Sequence, residues 1–164
     1  MTRAVLALGA NLGDRMAALQ RAVDVLAAAP SVTVVAVSPV YETAPVGPPQ
    51  PDYLNAVVVV DTSLGGRELL DLAHLIEAEL GRERQERFGP RTLDVDVLDF
   101  GEQRSDDPVL TLPHPRAHER AFVLAPWSDV DPDAEVPGRG KVGELVDRVG
   151  LEGVRRRDDL GLRT

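Results

Sequence analysis

The sequence predicts an α+β domain: a ferredoxin-like βαββαβ core, with a mainly antiparallel sheet, both helices packed on one of its faces, and a C-terminal α/β extension. Three observations predict it. Apolar runs of strand length and two segments of helical periodicity follow one another as strand, helix, strand, strand, helix, strand, the split βαβ order. Glycine, proline and asparagine punctuate the joins, and nothing in the chain looks like a repeat or a linker. A length of 164 residues suits one domain, 1–164, around one core.

Each element has its own signal. Ala4 to Leu8 is a short apolar run ending at Gly9 and reads as a buried strand, followed by the loop Gly9-Ala10-Asn11-Leu12-Gly13. Asp14 is placed to cap a helix running through about Ala28, with Met16, Leu19, Val23 and Leu26 at helical spacing and Pro30 as the stop. Val32 to Tyr41 is rich in valine and reads as a strand in which Pro39 marks an edge or a bend. Ala44 to Pro51 carries Pro45, Pro48, Pro49 and Gly47, which leaves it too stiff to fold regularly. Leu54 to Thr62 holds four consecutive valines, a buried strand. Gly66 to Leu80 is a second helix that buries Leu69, Leu72, Ala73, Ile76 and Leu80, with Gly81 ending it. In the last third, Leu110 to His114 reads as extending or edging the sheet and Arg116 to Trp127 as short helical pieces. Lys141 to Val149 reads as a further helix, and Arg155, Arg156 and Arg157 as a solvated tail.

Composition narrows the function. Acidic residues outnumber basic ones 27 to 18, a net charge of −9, which argues against a nucleic acid or an anionic membrane as partner. The absence of cysteine rules out disulfides, thiolate metal sites and thiol catalysis. The N-terminus lacks a signal-like apolar region and no run is long enough to span a bilayer, so a cytoplasmic location is expected.

One stretch stands out chemically. Arg82, Arg84, Arg87 and Arg91 crowd a segment with Gly89 and Pro90, read as a mobile cationic loop. From Leu93 the pattern alternates, so that Leu93, Val95 and Val97 point to one face and Asp94 and Asp96 to the other. Two such carboxylates lie roughly 6.5–7 Å apart at Cα, close enough to share a hard cation or bridge a pair. Magnesium fits them, because it takes one or two protein carboxylates and completes its shell with water and phosphate oxygens. Arginine forks bind phosphate bidentately, so loop and strand together suggest a magnesium–polyphosphate site. The same residues also read as a solvated turn beside a solvent-facing strand.

The run from Arg87 to Val97, R-F-G-P-R-T-L-D-V-D-V, resembles the signature of the 6-hydroxymethyl-7,8-dihydropterin pyrophosphokinase family. The likeness extends from the first strand to about Trp127. Leu8 to Asp14 is similar to the family's glycine–asparagine turn, with Ala10 where serine is frequent, and Asn11 reads as structural support. Glu42 to Gly47 and Gln50 to Asn55 resemble one wall of its pterin pocket. The resemblance implies pterin contacts from Thr43, Ala44, Pro45, Val46, Tyr53, Asn55 and Phe122, with Tyr53 and Phe122 stacking on the heterocycle. By themselves these residues read as easily as a strand entry, a turn cap and a core phenylalanine.

For the nucleotide, the resemblance implies ATP contacts from His74, Glu77, Arg82, Arg84, Arg87, Arg91, Val97, Thr111, His114 and Arg120. It assigns two magnesium ions to Asp94 and Asp96, and catalytic roles to Arg82, Arg91, Asp94 and Asp96. His74 also reads as an ordinary surface histidine, and His118 as another. Phe88 stands where the family often has tryptophan. The implied activity is transfer of pyrophosphate from ATP to the pterin alcohol in folate biosynthesis, by a monomer with small-molecule partners. A ligand-binding sensor of the same fold is the rival reading, since it needs a pocket but not the carboxylate pair; a plain ATPase needs no pterin pocket.

Overall fold

Strand β1, Thr2–Ala10, has the hydrogen-bonding capacity of a central strand and uses it on both sides, pairing antiparallel with β4, Tyr53–Thr62, and with β5, Asp94–Phe100. The computed structural model describes residues 1–44, 49–80 and 93–164. Between β1 and β4 come α1, Arg15–Ala28, β2, Val32–Val37, and β3, Tyr41–Thr43; α2, Gly66–Leu80, follows β4. The two helices keep the limits that periodicity and capping set, and Asp14 accepts a hydrogen bond from the Ala17 N–H as the α1 cap.

The single strand expected over Val32 to Tyr41 is split. Both pieces pair with β4, β2 against Val58–Thr62 and β3 against Tyr53–Asn55, and the break falls at Pro39, which has no N–H to give a ladder. Ser38 repairs the gap: its N–H donates to the Val57 carbonyl and its hydroxyl oxygen accepts from the Val57 N–H at 2.8 Å.

Alternation along the central strands divides the core into two. Ala4, Leu6, Leu8 and Ala10 of β1, with Leu54, Val58 and Val60 of β4 and Val95, Val97 and Phe100 of β5, face α1 and α2, where Leu19, Leu26, Leu69 and Ile76 fill the space. Leu70 is buried in α2, whereas Leu72 and Leu80, expected inside, are only partly covered. Val5, Val57, Val59 and Leu98 face the other way, onto α3, Ala121–Val130, and α4, Val142–Val149. Trp127 is fully buried there. The C-terminal extension is therefore a third layer that gives the second face of the sheet its own core.

Three expectations need correction. Leu110 to His114 does not join the main sheet: β7, Leu110–Leu112, pairs with β6, Ser105–Asp107, in a separate hairpin. Residues 154–157 are not a solvated tail. Strand β10, Val154–Arg156, pairs with β3 and forms an edge of the main sheet, with Arg155 and Arg157 both bonded to Glu42.

The third correction concerns Asp99, expected on the face opposite Asp94 and Asp96 and reaching solvent. A bulge lies between: Leu6 pairs with Val97 and Val5 with Asp99, which leaves Leu98 as the extra residue. Parity shifts by one, so Asp99 sits across from Val5 on the same face as Asp94 and Asp96 and is buried at 6% exposure. Burial pushes its carboxyl up to about 6; Oδ2 accepts from the Glu102 N–H, while Oδ1 has no hydrogen-bond partner among the described residues.

The remaining elements complete the extension. A short 3₁₀ turn, Ala117–Glu119, leads into α3, and a small hairpin, β8, Glu135–Val136, with β9, Gly140–Lys141, leads into α4.

Candidate active site

On its second face β1 presents Val5, then Ala7, then Gly9, a decreasing series of side chains. The strands beside it reverse that taper: Asn55 and Asp94 flank Gly9, and Val57 and Asp96 flank Ala7. Small residues on the middle strand and functional ones on its neighbours make a trough whose floor is backbone. A Cβ added at Gly9 would lie 3.0 Å from the Asn55 side-chain oxygen, so glycine is what lets that amide lie across the floor.

The trough opens into a cleft of about 700 Å³ that α3 and the turn before it close from above. Asp94, Asp96, Tyr53, Asn55, Thr43, Ala44, Phe122 and Arg120 all line it. Asn55 is buried and donates from Nδ2 to the Thr43 hydroxyl at 2.7 Å, which fixes the amide's orientation. The Arg120 guanidinium lies 5.7 Å from the centroid of the Phe122 ring, within cation–π range, so the two side chains are placed as a unit. Buried Asn11 donates to Gln50 at 2.9 Å and supports the end of the proline-rich loop, in keeping with its structural reading.

Strand alternation holds at the carboxylate pair. Val95 is buried, Asp94 half-buried and Asp96 exposed, both acids on the cleft side. Glu77 accepts from the Val95 N–H at 3.0 Å, which satisfies a donor on the outer edge of β5. Burial is the main reason its carboxyl is raised; the Val95 N–H opposes that, and the charges of Asp94 and Asp96 add to it. His114 donates its backbone N–H to the Leu98 carbonyl at 2.9 Å, and burial lowers its imidazole while Asp96 pulls it back up. Arg120 and Arg116 push it further down, so His114 shares the electrostatic environment of the cleft without lining it.

No group of three or more metal-binding side chains occurs among the described residues. Two hard carboxylates facing an open cleft still suit a divalent cation that takes its other ligands from water and phosphate, whereas they would make a poor site for a metal that needs a closed protein shell.

The chain matches the family described as 7,8-dihydro-6-hydroxymethylpterin-pyrophosphokinase (HPPK) over residues 5–132. The chain belongs to the HPPK family. It is 44% identical over 155 residues to the 2-amino-4-hydroxy-6-hydroxymethyldihydropteridine pyrophosphokinase of Pseudomonas aeruginosa, covering 94% of this chain and 96% of that one. The enzyme of the same name from Methylorubrum extorquens is 45% identical, with 95% and 99% covered, and that of Bacillus subtilis 48%, with 77% of each. Among solved structures, a Plasmodium falciparum HPPK-DHPS with pterin and p-hydrobenzoate aligns with a TM-score of 0.74 at 15% identity, over 94% of this chain and 47% of that one. That likeness speaks for the HPPK fold, and this chain spans about half the length of the solved one.

The residues expected from the HPPK resemblance separate into three sets. Thr43, Ala44, Tyr53, Asn55, Phe122, Arg120, Asp94 and Asp96 converge on the cleft. His74 is exposed on α2, Val97, expected to contribute its backbone, turns its side chain into the helix-side core, and the Thr111 hydroxyl donates to the Asp107 carbonyl; none of these, nor Glu77 or His114, lines the cleft. Pro45, Val46, Gly81, Arg82, Arg84, Arg87, Phe88 and Arg91 lie outside the described residues.

Gln50 lines the cleft as part of the stretch expected to form the pterin wall, whereas Arg116, Glu119 and the turn around Gly150, Glu152 and Gly153 carried no such expectation. Arg116 precedes the 3₁₀ turn and Glu119 ends it, directly before Arg120, so the turn that delivers the expected arginine delivers them as well. His118, expected at the surface, is largely covered at 16% side-chain exposure, with Nε2 3.4 Å from Glu119.

Proposed function

We propose that this chain transfers the pyrophosphoryl group of ATP to 6-hydroxymethyl-7,8-dihydropterin, giving the pterin diphosphate and AMP in folate biosynthesis. The observation that carries the reading is the register of one trough: Asn55, Gly9 and Asp94 lie side by side on three strands, so a polar amide that can read a heterocycle and a phosphate-side carboxylate share one floor. In this reading Tyr53 and Phe122 stack on the flat ring, Asn55 hydrogen-bonds its amide-like edge, and Thr43 holds Asn55 in the required orientation. Thr43 and Ala44 belong to that wall, and Pro45 and Val46 are further pterin contacts in this reading.

Asp94 and Asp96 would hold magnesium, two ions in this reading, which when bound neutralises charge on the phosphate oxygens. Both carboxylates face the same cleft, where a cation they held would offer its remaining positions to phosphate oxygens. Arg120, with Arg82, Arg84, Arg87 and Arg91, binds phosphate oxygens; His74, Glu77, Thr111, His114 and the backbone at Val97 make the remaining nucleotide contacts outside the cleft lining. The hydroxymethyl oxygen forms a bond to the β-phosphorus as the bond from that phosphorus to the α,β-bridging oxygen breaks, AMP departs, and the alcohol proton passes to water. The contribution of the chain's own groups is alignment and fixed charge, the usual sources of catalysis in phosphoryl transfer. Residues 1–164 act as one domain and as a monomer in the cytoplasm; no described helix is long and apolar enough to cross a membrane.

Phosphorus NMR of a mixture of the chain, ATP, magnesium and the pterin alcohol tests the reading. AMP and a pterin diphosphate should appear in equal amounts, and ADP or free phosphate in their place would overturn it.

A further inference from the structure

Residues 150–157 lie beyond the family match, which ends at residue 132, yet Gly150, Glu152, Gly153 and Val154 line the cleft. What holds them there is strand β10, whose three residues pair with the strand that leads into the heterocycle wall: Val154 with Thr43, Arg155 with Glu42 and Arg156 with Tyr41. The Arg157 N–H adds a bond to the Val40 carbonyl at 2.8 Å.

At the centre of this pairing is Glu42, a carboxylate with 9% exposure. Oε1 accepts from Arg155 and, at 3.2 Å, from Arg157, and Oε2 accepts from Arg15 Nη1 at 2.8 Å. The same Nη1 donates to the Asp52 carbonyl at 2.9 Å, one residue before Tyr53. Arg157 is also held by both oxygens of Asp159, at 2.9 and 2.7 Å, so three cations meet two carboxylates here. Their effect is to tie the start of α1, the entry to β4 and the segment after α4 to one point, next to Thr43, which orients Asn55. Those arginines also hold the Glu42 carboxyl below the usual carboxylate range, Arg15 contributing most.

We propose that Glu42 is a positioning residue for the heterocycle end of the cleft: its carboxylate latches the 150–157 segment to β3, so that this segment serves as a wall of the substrate site. The inference rests on the cleft being the pterin site, and it assigns a role to a part of the chain that the family match does not reach.

Steady-state kinetics, varying the pterin alcohol and ATP separately, test it with Glu42→Gln, Arg155→Ala and the double variant. For Glu42→Gln the pterin KM should rise about tenfold or more while the ATP KM and kcat stay within about twofold, with an unchanged far-ultraviolet CD spectrum. Arg155→Ala should show the same selectivity at about threefold, and the double variant should be no worse than Glu42→Gln, since both changes release one latch. Equal rises in both KM values, or a rise in neither, overturn the proposal. Should Glu42→Gln fail to fold, Arg155→Ala decides on the same criteria, because its side chain is 69% exposed and its loss leaves no large cavity. Wild-type chain that makes no pterin diphosphate removes the functional reading itself, whereas active wild type with unchanged variants removes only the latch.

Discussion

The two faces of the sheet are built from the same strands and do opposite work. Toward α1 and α2 the central positions are apolar and closed, from Leu6 and Leu8 to Val58, Val60, Val97 and Phe100. Toward α3 and α4 the face is core at one end, where Val5, Val57, Val59 and Leu98 meet Trp127, and cleft at the other, where Ala7 and Gly9 give way to Asn55, Asp94 and Asp96. Alternation by two lets one strand carry both programmes, so stability can be stored on one face while the other is released for binding. Changes on the first face should therefore move stability without touching substrate affinity, and changes at the cleft end of the second should do the reverse.

The largest effect expected is Leu6→Ala on the closed face, which should destabilise by about 2–5 kcal/mol in urea unfolding and leave both KM values as they were. A matching loss of pterin affinity would mean that the faces are coupled. Next, Asp94→Asn and Asp96→Asn should each cut kcat by about a hundredfold or more with the melting temperature unchanged or raised, because charge is removed without change of shape. Near-normal turnover at saturating magnesium would detach the pair from the chemistry.

Asp99 tests the buried end of the second face. Its carboxyl, raised to about 6 against an ordinary value near 3.8, binds more protons folded than unfolded, so its contribution is fully present below the unfolded value and is lost as pH climbs through about 6. Asp99→Asn should flatten the fall in stability between about pH 4 and 6 and make the variant more stable at pH 7, by on the order of 1–3 kcal/mol in paired denaturation curves. An unchanged pH profile would place the proton elsewhere. The smallest effect is the sharpest in position: Gly9→Ala sets a methyl 3.0 Å from the Asn55 oxygen, and should weaken equilibrium binding of the pterin about tenfold with stability held within about 1 kcal/mol.

Local chemistry made much of this legible. The α2 pattern and the Asp14 cap marked their helices, and the alternation from Leu93 put Asp94 and Asp96 on one face, where they are. Reading the same alternation two residues further failed, because the Leu98 bulge shifts parity and leaves no mark in sequence beyond two adjacent apolar residues, Val97 and Leu98. Strand β6 was unreadable because Ser-Asp-Asp has little strand preference; its pairing with β7 took that strand away from the main sheet. The Arg-rich stretch at 155–157 looked solvated for a different reason, since its partner carboxylate is 113 positions away and ion pairing at that separation has no period. Arg116, Glu119 and the 150–153 turn reach the cleft through the C-terminal layer, whose packing is a tertiary fact.

The distance between β3 and β10 also bears on how the protein is made. At about 5–20 residues per second, roughly 6–23 s separate the synthesis of Glu42 from that of Arg155, and over that interval one edge of β3 has no strand to pair with. The five antiparallel strands up to β5 can already have met, since their contacts need far less of the chain. A nascent chain halted at Val149 would thus carry the carboxylate pair and the Asn55 floor but not the wall that β10 brings. On the proposed role of that wall, substrate capture would be a late event of biogenesis, timed by the translation of residues 150–157 and not by the folding of the sheet.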